Sequence, residues 1–447
     1  MNNNIFAATR PPKHHFFGFH DICAWNFKSN KLLSLEVDTI NRPPLPKESA
    51  SVGYVDLENR FKKIGNTCAF NYPQGSRMQW VGPSEYFITN NMFQKQWGSD
   101  LYDTDADKLI DRYPFSCYCI HKDGKTTFSI NFSRLHRLGA YGYAGLRDFT
   151  DSDATPANDG IIIGNIETKK SYLLISISSV ANCPHKLKKE PYGHHYITHL
   201  LLNPSNTRLA FLYRYPLADG GEITRLLTIG IDGGNMRCIA TGFLSHFAWK
   251  DDDTIFIFGR TNNALDTLRS NPMLRSPTIA KCARMGKRIV KTFMDQRTVV
   301  CANFLLIKDK ENTLPFPIAR DVLPSDGHPM FCPSNRDWII NDTYPDSNGI
   351  RTLMAYQFSK NRRINLGIYK MIREEPDTSS MNNFFEGVEV NVLNSIGRKN
   401  LAFTRSGLHC DLHPRWDQQG HKIAFDSIHE GTRQIYVLNL SNIIKSL

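Results

Sequence analysis

CDLHPRWDQQGHKIAFDSI, Cys410 to Ile428, decides how this chain is read. HPRW is a short extended run, DQQGH is turn chemistry, and KIAFDSI is apolar and partly alternating. Two short strands about a Gly-containing turn form a hairpin signal. The pattern recurs. His413-Pro-Arg-Trp-Asp-Gln-Gln-Gly420 aligns without a gap on His328-Pro-Met-Phe-Cys-Pro-Ser-Asn335 and on His199-Leu-Leu-Leu-Asn-Pro-Ser-Asn206. His246-Phe-Ala-Trp-Lys-Asp-Asp-Asp253 runs into the strand-like TIFIFGR in the same phase. Weaker copies stand at Ile22–Ser29, Arg77–Ser84 and Cys117–Gly124.

The seven copies therefore begin at 22, 77, 117, 199, 246, 328 and 413. Arg77 to Cys117 is 40 residues and His199 to His246 is 47, the size of one four-stranded propeller blade of roughly 40–50 residues. The gaps of 82, 82 and 85 residues that follow Cys117, His246 and His328 have room for a blade and an insertion. Outer strand pairs are legible as GIIIGNIETKKSYLLISI (160–177), LLTIGIDGGNMRCIA (226–240) and TLMAYQFSKNRRINLGI (352–368). Helical periodicity is nearly absent. The expected architecture is all-β: a single seven-bladed β-propeller over residues 1–447, with insertions near 135–160, 262–320 and 370–408. The first residue of each copy is expected to start an inner strand.

Composition bounds the function. Hydrophobic residues make up 41% and aromatics 11%, ample for a core, and no apolar run approaches the length of a membrane span. The start MNNNIFAATRPPKHH has no charged-then-apolar leader, which predicts a cytoplasmic protein. Ten scattered cysteines predict reduced thiols rather than a disulfide framework. Lys+Arg 54 against Asp+Glu 43, a net charge of +11, points to an acidic partner such as an anionic polysaccharide. The basic clusters HKLKKE (185–190), KCARMGKRIVK (281–291) and KNRR (360–363) read as solvated loop charge. Nucleic acid is an unlikely partner, because no aromatic–basic stacking motif is present. No P-loop, Rossmann glycine fingerprint or Ser-His-Asp order is present either.

Histidine opens four consecutive copies: His199, His246, His328 and His413; Arg77 holds that place in the second. Inner strands of a propeller line its central channel, so these imidazoles either tie blades together or form a ligand- or metal-binding mouth. Converging imidazoles suit a borderline cation such as zinc. The expected metal set is His246, His328, Cys410 and His413, with His409 in reserve and the zinc mainly structural.

HHFFGFHDICAWN (14–26), RLHRLGAYGYAG (134–145), HHYITHLLLNP (194–204), DGHPMFCPSNRDWIINDTYPD (326–346) and the closing CDLHPRWDQQGHKIAFDSIHEGTRQIYVLNL resemble a group of bacterial TolB-like propellers. These are similar to propeller polysaccharide lyases, namely ulvan lyases and, more distantly, oligogalacturonate lyases. The resemblance implies Gln-x-x-His-x-His metal ligands in the last blade and a histidine from the blade before. Here the matching stretch is Cys410-x-x-His413-x-Arg415, with His328. Two of those ligands differ, which favours the structural zinc that ulvan lyases hold.

The resemblance further implies β-elimination on a uronate-containing glycan. That reaction needs cationic or donor groups on the carboxylate, a base at the α-proton and an acid at the leaving oxygen. Arg214 and His136 are expected to neutralise the carboxylate, His199 or His195 to be the base, and Tyr143 the acid. Arg77, Arg134, Tyr141, Tyr196 and Tyr213 are expected to bind substrate. The alternative is a non-catalytic glycan-binding or scaffolding propeller in polysaccharide biosynthesis or processing.

Overall fold

The computed structural model describes residues 5–185, 193–217, 221–261, 302–372 and 374–440. Their strands are short and antiparallel, and they form several small sheets. The described residues divide into two compact units. The first spans 5–149, 162–172 and 327–440, and the second 150–161 and 173–326.

Each sheet grows from one of the hairpins visible in the sequence, and the fourth residue of every copy sits in the same register. Trp25 pairs with Leu32, Trp80 with Phe87, Ile120 with Thr127 and Leu202 with Leu209. Trp249 pairs with Ile255, Phe331 with Ile339 and Trp416 with Ile423. Four inner strands start later than expected, at Gln79, Cys119, Met330 and Arg415, two residues into their copies. Two start earlier, since Tyr196–Leu202 and Arg237–Trp249 run through His199 and His246. At Arg77 (φ 56°) and His413 (φ 41°) the first residue is in the left-handed region and stays outside the strand. His199 (φ 57°) takes the same conformation inside its strand, where the register shifts between Thr198 and Leu201.

Turn chemistry explains the hairpins. At the fifth position Asn26, Asn203 and Asp417 each fold a side-chain oxygen onto two backbone N–H groups of the turn, as Asn and Asp do in tight turns. The fourth-position tryptophans fix one copy to the one before. Trp80 donates its indole N–H to the Ala24 carbonyl, Trp416 to Met330 and, in the second unit, Trp249 to Leu201. In each case the acceptor is the third residue of the preceding copy. A buried indole needs such a partner, so one residue type sets both hairpin packing and sheet-to-sheet spacing.

Four sheets of four strands lie in the first unit; they start at His14, Gln79, Met330 and Ile5. In the last of these, Ile5–Ala7 pairs with Gln434–Asn439, Ile5 opposite Leu438, so the two ends of the described chain share a sheet. Another four-stranded sheet joins Cys119–Ile120, Thr126–Ser129, Gly160–Asn165 and Lys170–Ser176. The second unit holds a seven-stranded sheet from Tyr196–Leu202 to Phe316–Ile318. Its 13-residue strand Arg237–Trp249 serves twice. The first half pairs back to Glu222–Gly230 and the second half pairs forward to Thr254–Thr261, with a register shift between Leu244 and Phe247.

Two expectations need correction. The insertion placed at 262–320 ends in sheet, because Asn303–Lys308 and Phe316–Ile318 are strands whose Phe304, Leu305 and Ile307 are buried. Helix is also present where little was expected. Phe132–Gly139 is capped by the Asn131 side chain, which accepts from Arg134 N–H. Met381–Phe384, Val390–Ile396 and Arg398–Arg405 form a helical insertion. Its Phe384, Phe385, Leu393 and Leu401 bury a separate small core with Ala140. No helix among the described residues is long and apolar enough to cross a membrane. The basic clusters at 186–190 and 281–291 lie outside the described residues.

Candidate functional site

The first unit brings together His328, Asp411 and His413, one ligand-type atom from each lying within 4.8 Å of the others. His328 and His413 open consecutive copies, and their rings stand perpendicular with centroids 4.3 Å apart. Both are buried. A single buried carboxylate aligns the two segments. Asp342 Oδ1 accepts from the backbone N–H and from Nδ1 of His328, both at 2.8 Å. Its Oδ2 accepts from the N–H groups of Leu412 at 3.1 Å and His413 at 3.2 Å.

These bonds fix the tautomers. His328 places Nδ1 against a carboxylate, and His413 places Nδ1 2.8 Å from the Gly18 carbonyl. With the Nδ1 proton so engaged, each ring carries its lone pair on Nε2, the arrangement typical of metal-ligating histidine. The Gly18 carbonyl can reach His413 because two backbones almost touch there. Gly18 has φ 122°, and a Cβ on it would lie 2.5 Å from Gly75 N. Gly18 also leads the chain into Phe19 and His20. His20 is buried, with Nδ1 3.0 Å from the Pro329 carbonyl and its ring 5.4 Å from His328 and 6.1 Å from His413.

Asp411 is positioned with equal care. Its Oδ1 meets the Arg351 guanidinium at 2.6 Å and His409 Nε2 at 3.3 Å, while Oδ2 lies 3.9 Å from His413 Nε2. Burial alone would push this carboxyl up, but Arg351 with His409 outweighs it and holds Asp411 well below the usual carboxylate range. Burial, together with the adjoining His328 and the guanidinium groups of Arg415 and Arg433, holds His413 well below the ordinary imidazole range, against the pull of Asp411. A neutral imidazole and an ionised carboxylate are the forms that bind cations. Tyr344 stands at the edge, 38% exposed, its ring 5.4 Å from that of His328.

Asp411, rather than Cys410, joins the histidines. In an extended segment residues i and i+2 share a face, so Asp411 accompanies His413 while Cys410 and Leu412 turn to the core. Burial pushes the Cys410 thiol up to about 11, which disfavours the thiolate a metal requires. Arg415 is engaged elsewhere: it bonds Asp426 at 2.5 Å and the Gly18 carbonyl at 2.9 Å. Asp411, Asp342, Arg351, His20 and Tyr344 were not singled out from the sequence. The Asp-x-His spacing at 411–413 was the available signal for the first of them.

Of the other expected residues of the first unit, Arg77, Arg134, His136 and Tyr143 are buried and Tyr141 is half-buried. Arg77 is held by Asp21 through two bonds of 2.9 Å and lies over the Tyr118 ring at 3.8 Å. Arg134 faces Asp148 at 3.5 Å. Tyr143 stacks on Phe132 at 4.3 Å, and its hydroxyl accepts from Asn90 at 3.0 Å. Tyr141 lies beneath the Arg405 guanidinium at 5.6 Å. Burial lowers the His136 pKa to about 4, and its ring packs edge-on against Phe384.

In the second unit the rings of His199 and His246 are 6.0 Å apart. His246 Nδ1 lies 3.3 Å from Asp326 and His199 Nδ1 3.0 Å from the Thr198 hydroxyl. His195 bonds the Tyr213 hydroxyl and stacks on Tyr215. Arg225 lies over Tyr213 at 5.3 Å. Tyr196 donates to Glu222 at 2.6 Å, and Arg214 approaches the same carboxylate at 3.5 Å.

No family model matches the chain, and no curated protein matches it. Among solved structures, oligogalacturonate lyase from Vibrio parahaemolyticus is similar over 98% of this chain and 93% of its own, at 12% identity with a TM-score of 0.54. An oligogalacturonate lyase in complex with manganese (13% identity, 98% and 94% covered, TM-score 0.38) is a likeness too loose to carry an argument. The same holds for TolB from Acinetobacter baumannii (12%, 75% and 63%, 0.35). At such identities a likeness speaks of fold alone, and the first supports a fold of the kind expected from the sequence, built of small antiparallel sheets.

Proposed function

We propose that the chain is one seven-bladed propeller domain that binds a divalent cation at His328, Asp411 and His413 and cleaves a uronate-containing anionic glycan by β-elimination. The observation that carries this reading is the pair of pre-set tautomers, each with Nδ1 engaged, beside a carboxylate whose outer oxygen is already held by Arg351 and His409. Two imidazoles and a carboxylate suit zinc among the common cations. Bound there, the cation supplies Lewis-acid neutralisation of a substrate carboxylate.

The chain's own residues do the rest. Arg351 and His409 keep Asp411 ionised and aimed. Tyr344 offers an exposed ring to a sugar face. Within the second unit by itself, Asp326 lies 3.3 Å from His246 Nδ1, a carboxylate–imidazole pairing of the kind that general bases use. His199 is the neighbouring candidate, with Arg214 for the substrate carboxylate; His195, His136 and Tyr143 are tested as variants alongside them. In the step itself the C–H bond α to the carboxylate breaks and its proton passes to the base. A C=C bond forms as the 4-linked C–O bond breaks, and an acid protonates the leaving oxygen. The net charge of +11 suits an anionic chain.

The second reading is a glycan binder without catalysis. It is favoured by the burial of His136 and Tyr143, two of the residues expected to meet the reacting sugar. The experiment incubates purified protein, as isolated and after chelation, with ulvan, pectic, alginate and glycosaminoglycan fragments while following the ultraviolet absorbance of unsaturated uronate. Metal analysis accompanies it. Product that needs the metal and is lost in His413→Ala supports elimination. Binding without product on every substrate supports the second reading, and the absence of both overturns the proposal.

A further inference from the structure

We infer that His20 supplies a fourth protein ligand to the cation site, so that the site is completed by the N-terminal segment Gly18–Asp21 and not by the position after His413. This rests on the metal reading above. Three imidazoles and one carboxylate then surround the cation: His20, His328, His413 and Asp411.

The first argument is register. Two residues before the start of three of the seven copies stand His20 before Ile22, Asp326 before His328 and Asp411 before His413, while the other four have Gly75, Phe115, Ile197 and Leu244 there. Asp326 approaches His246, the residue that opens the preceding copy, at 3.3 Å. Asp411 groups with His328, which again opens the preceding copy. His20 holds the same position in the first copy, and it stands beside His413 and His328. The same offset thus places a side chain of metal-binding type at these three positions; Asp411 groups with His328 and His413, and the His20 ring lies 5.4 and 6.1 Å from theirs.

The second argument is the tautomer. His20 Nδ1 faces the Pro329 carbonyl at 3.0 Å, which can only accept, so Nδ1 carries the proton and Nε2 the lone pair. All three imidazoles are therefore set alike, each with Nδ1 on a backbone carbonyl or a carboxylate. The third argument is chain placement. Pro329 follows His328 directly, so the bond that orients His20 also anchors it to a ligand-bearing segment. The close Gly18–Gly75 approach fixes the other side. The three buried rings lie with centroids 4.3, 5.4 and 6.1 Å apart, close enough for their Nε2 atoms to share one small cation.

The test reads coordination directly. Chelator-stripped protein is titrated with Zn²⁺ by calorimetry and with Co²⁺ by visible absorption. His20→Asn keeps an N–H for the Pro329 carbonyl but removes Nε2. It is expected to weaken Zn²⁺ binding at least about tenfold, since even outer-shell partners cost 10–100-fold, and to reduce the Co²⁺ d–d bands. His20→Cys places a thiolate at the same position and is expected to add a Co²⁺–thiolate charge-transfer band that the native protein lacks. Unchanged Zn²⁺ affinity in His20→Asn, together with no new band in His20→Cys, would overturn His20 as a ligand while leaving the trio intact. Failure of the native protein to bind either ion would overturn the metal reading, and His20 with it.

Discussion

Two pairs of histidines occupy the same repeat position and come to different ends. His328 and His413 in the first unit lie ring to ring at 4.3 Å, both buried; His199 and His246 in the second lie at 6.0 Å, with His246 partly exposed. The repeat delivers an aspartate to both, Asp411 in one case and Asp326 in the other. What differs is the support. Asp411 is backed by Arg351 and His409, and Asp342 bonds both histidine-bearing segments at once. Asp326 meets His246 at 3.3 Å, and both side chains keep some exposure, 17% and 13%. A repeat position can thus bring imidazoles together, but buried carboxylates around it decide whether they form a buried, multiply braced cluster or a more accessible pair.

The strongest way to break this contrast is to remove Asp342. Asp342→Ala leaves the His328 imidazole and three backbone N–H groups without their acceptor in a buried place. Each orphaned donor costs about 1–3 kcal/mol, so a loss of at least about 3 kcal/mol is expected by urea denaturation. Asp326→Ala, which removes a part-exposed ion pair, should cost about 1 kcal/mol or less. Equal losses from the two variants would mean that the two pairs are supported alike.

Next in size is the division of labour between the two aspartates. Asp411→Asn is expected to lower Zn²⁺ affinity by about 10-fold or more, because the charge that Arg351 and His409 hold in place is gone. Asp326→Asn should leave Zn²⁺ affinity unchanged and instead lower the kcat of any elimination activity, since His246 loses the partner that orients it. Calorimetry and steady-state kinetics on both variants separate these effects. A Zn²⁺ defect in Asp326→Asn would show that the second pair is a cation site as well.

Much of this was legible in the sequence, and what was not has physical causes. The hairpin phase was readable because each copy keeps a paired residue at its fourth position, from Trp25 to Trp416. The starts at Gln79 and Arg415 fall two residues later than expected, because left-handed conformations at Arg77 and His413 leave no compositional mark on residues that are not glycine. His328 and His413 were found through the repeat. Cys410 was favoured over Asp411 because spacing from His413 was weighed ahead of strand alternation, which puts Cys410 in the core. Asp342 and Arg351 depend on contacts across 70 and 60 residues of chain, and no local pattern announces them.

The smallest expected effect lies at the rim of the first pair, where Tyr344 is the exposed aromatic beside His328. Its ring also lies 6.0 Å from the Arg351 guanidinium, so it borders both the histidine and the cation that steadies Asp411. A sugar held against this face would gain burial and little else, because the ring holds none of the cluster's ligand atoms. Tyr344→Ala should therefore raise KM, or the Kd of a non-cleaved glycan, by about two- to tenfold, in line with about 0.5–1.5 kcal/mol for an aromatic contact. Zn²⁺ affinity should stay at the native value, and Tyr344→Phe should restore most of the glycan affinity. A loss in kcat without change in KM would make Tyr344 part of the proton transfer. A loss of Zn²⁺ binding would mean that the rim supports the cluster, and the contrast between a rigid site and its accessible border would have to be redrawn.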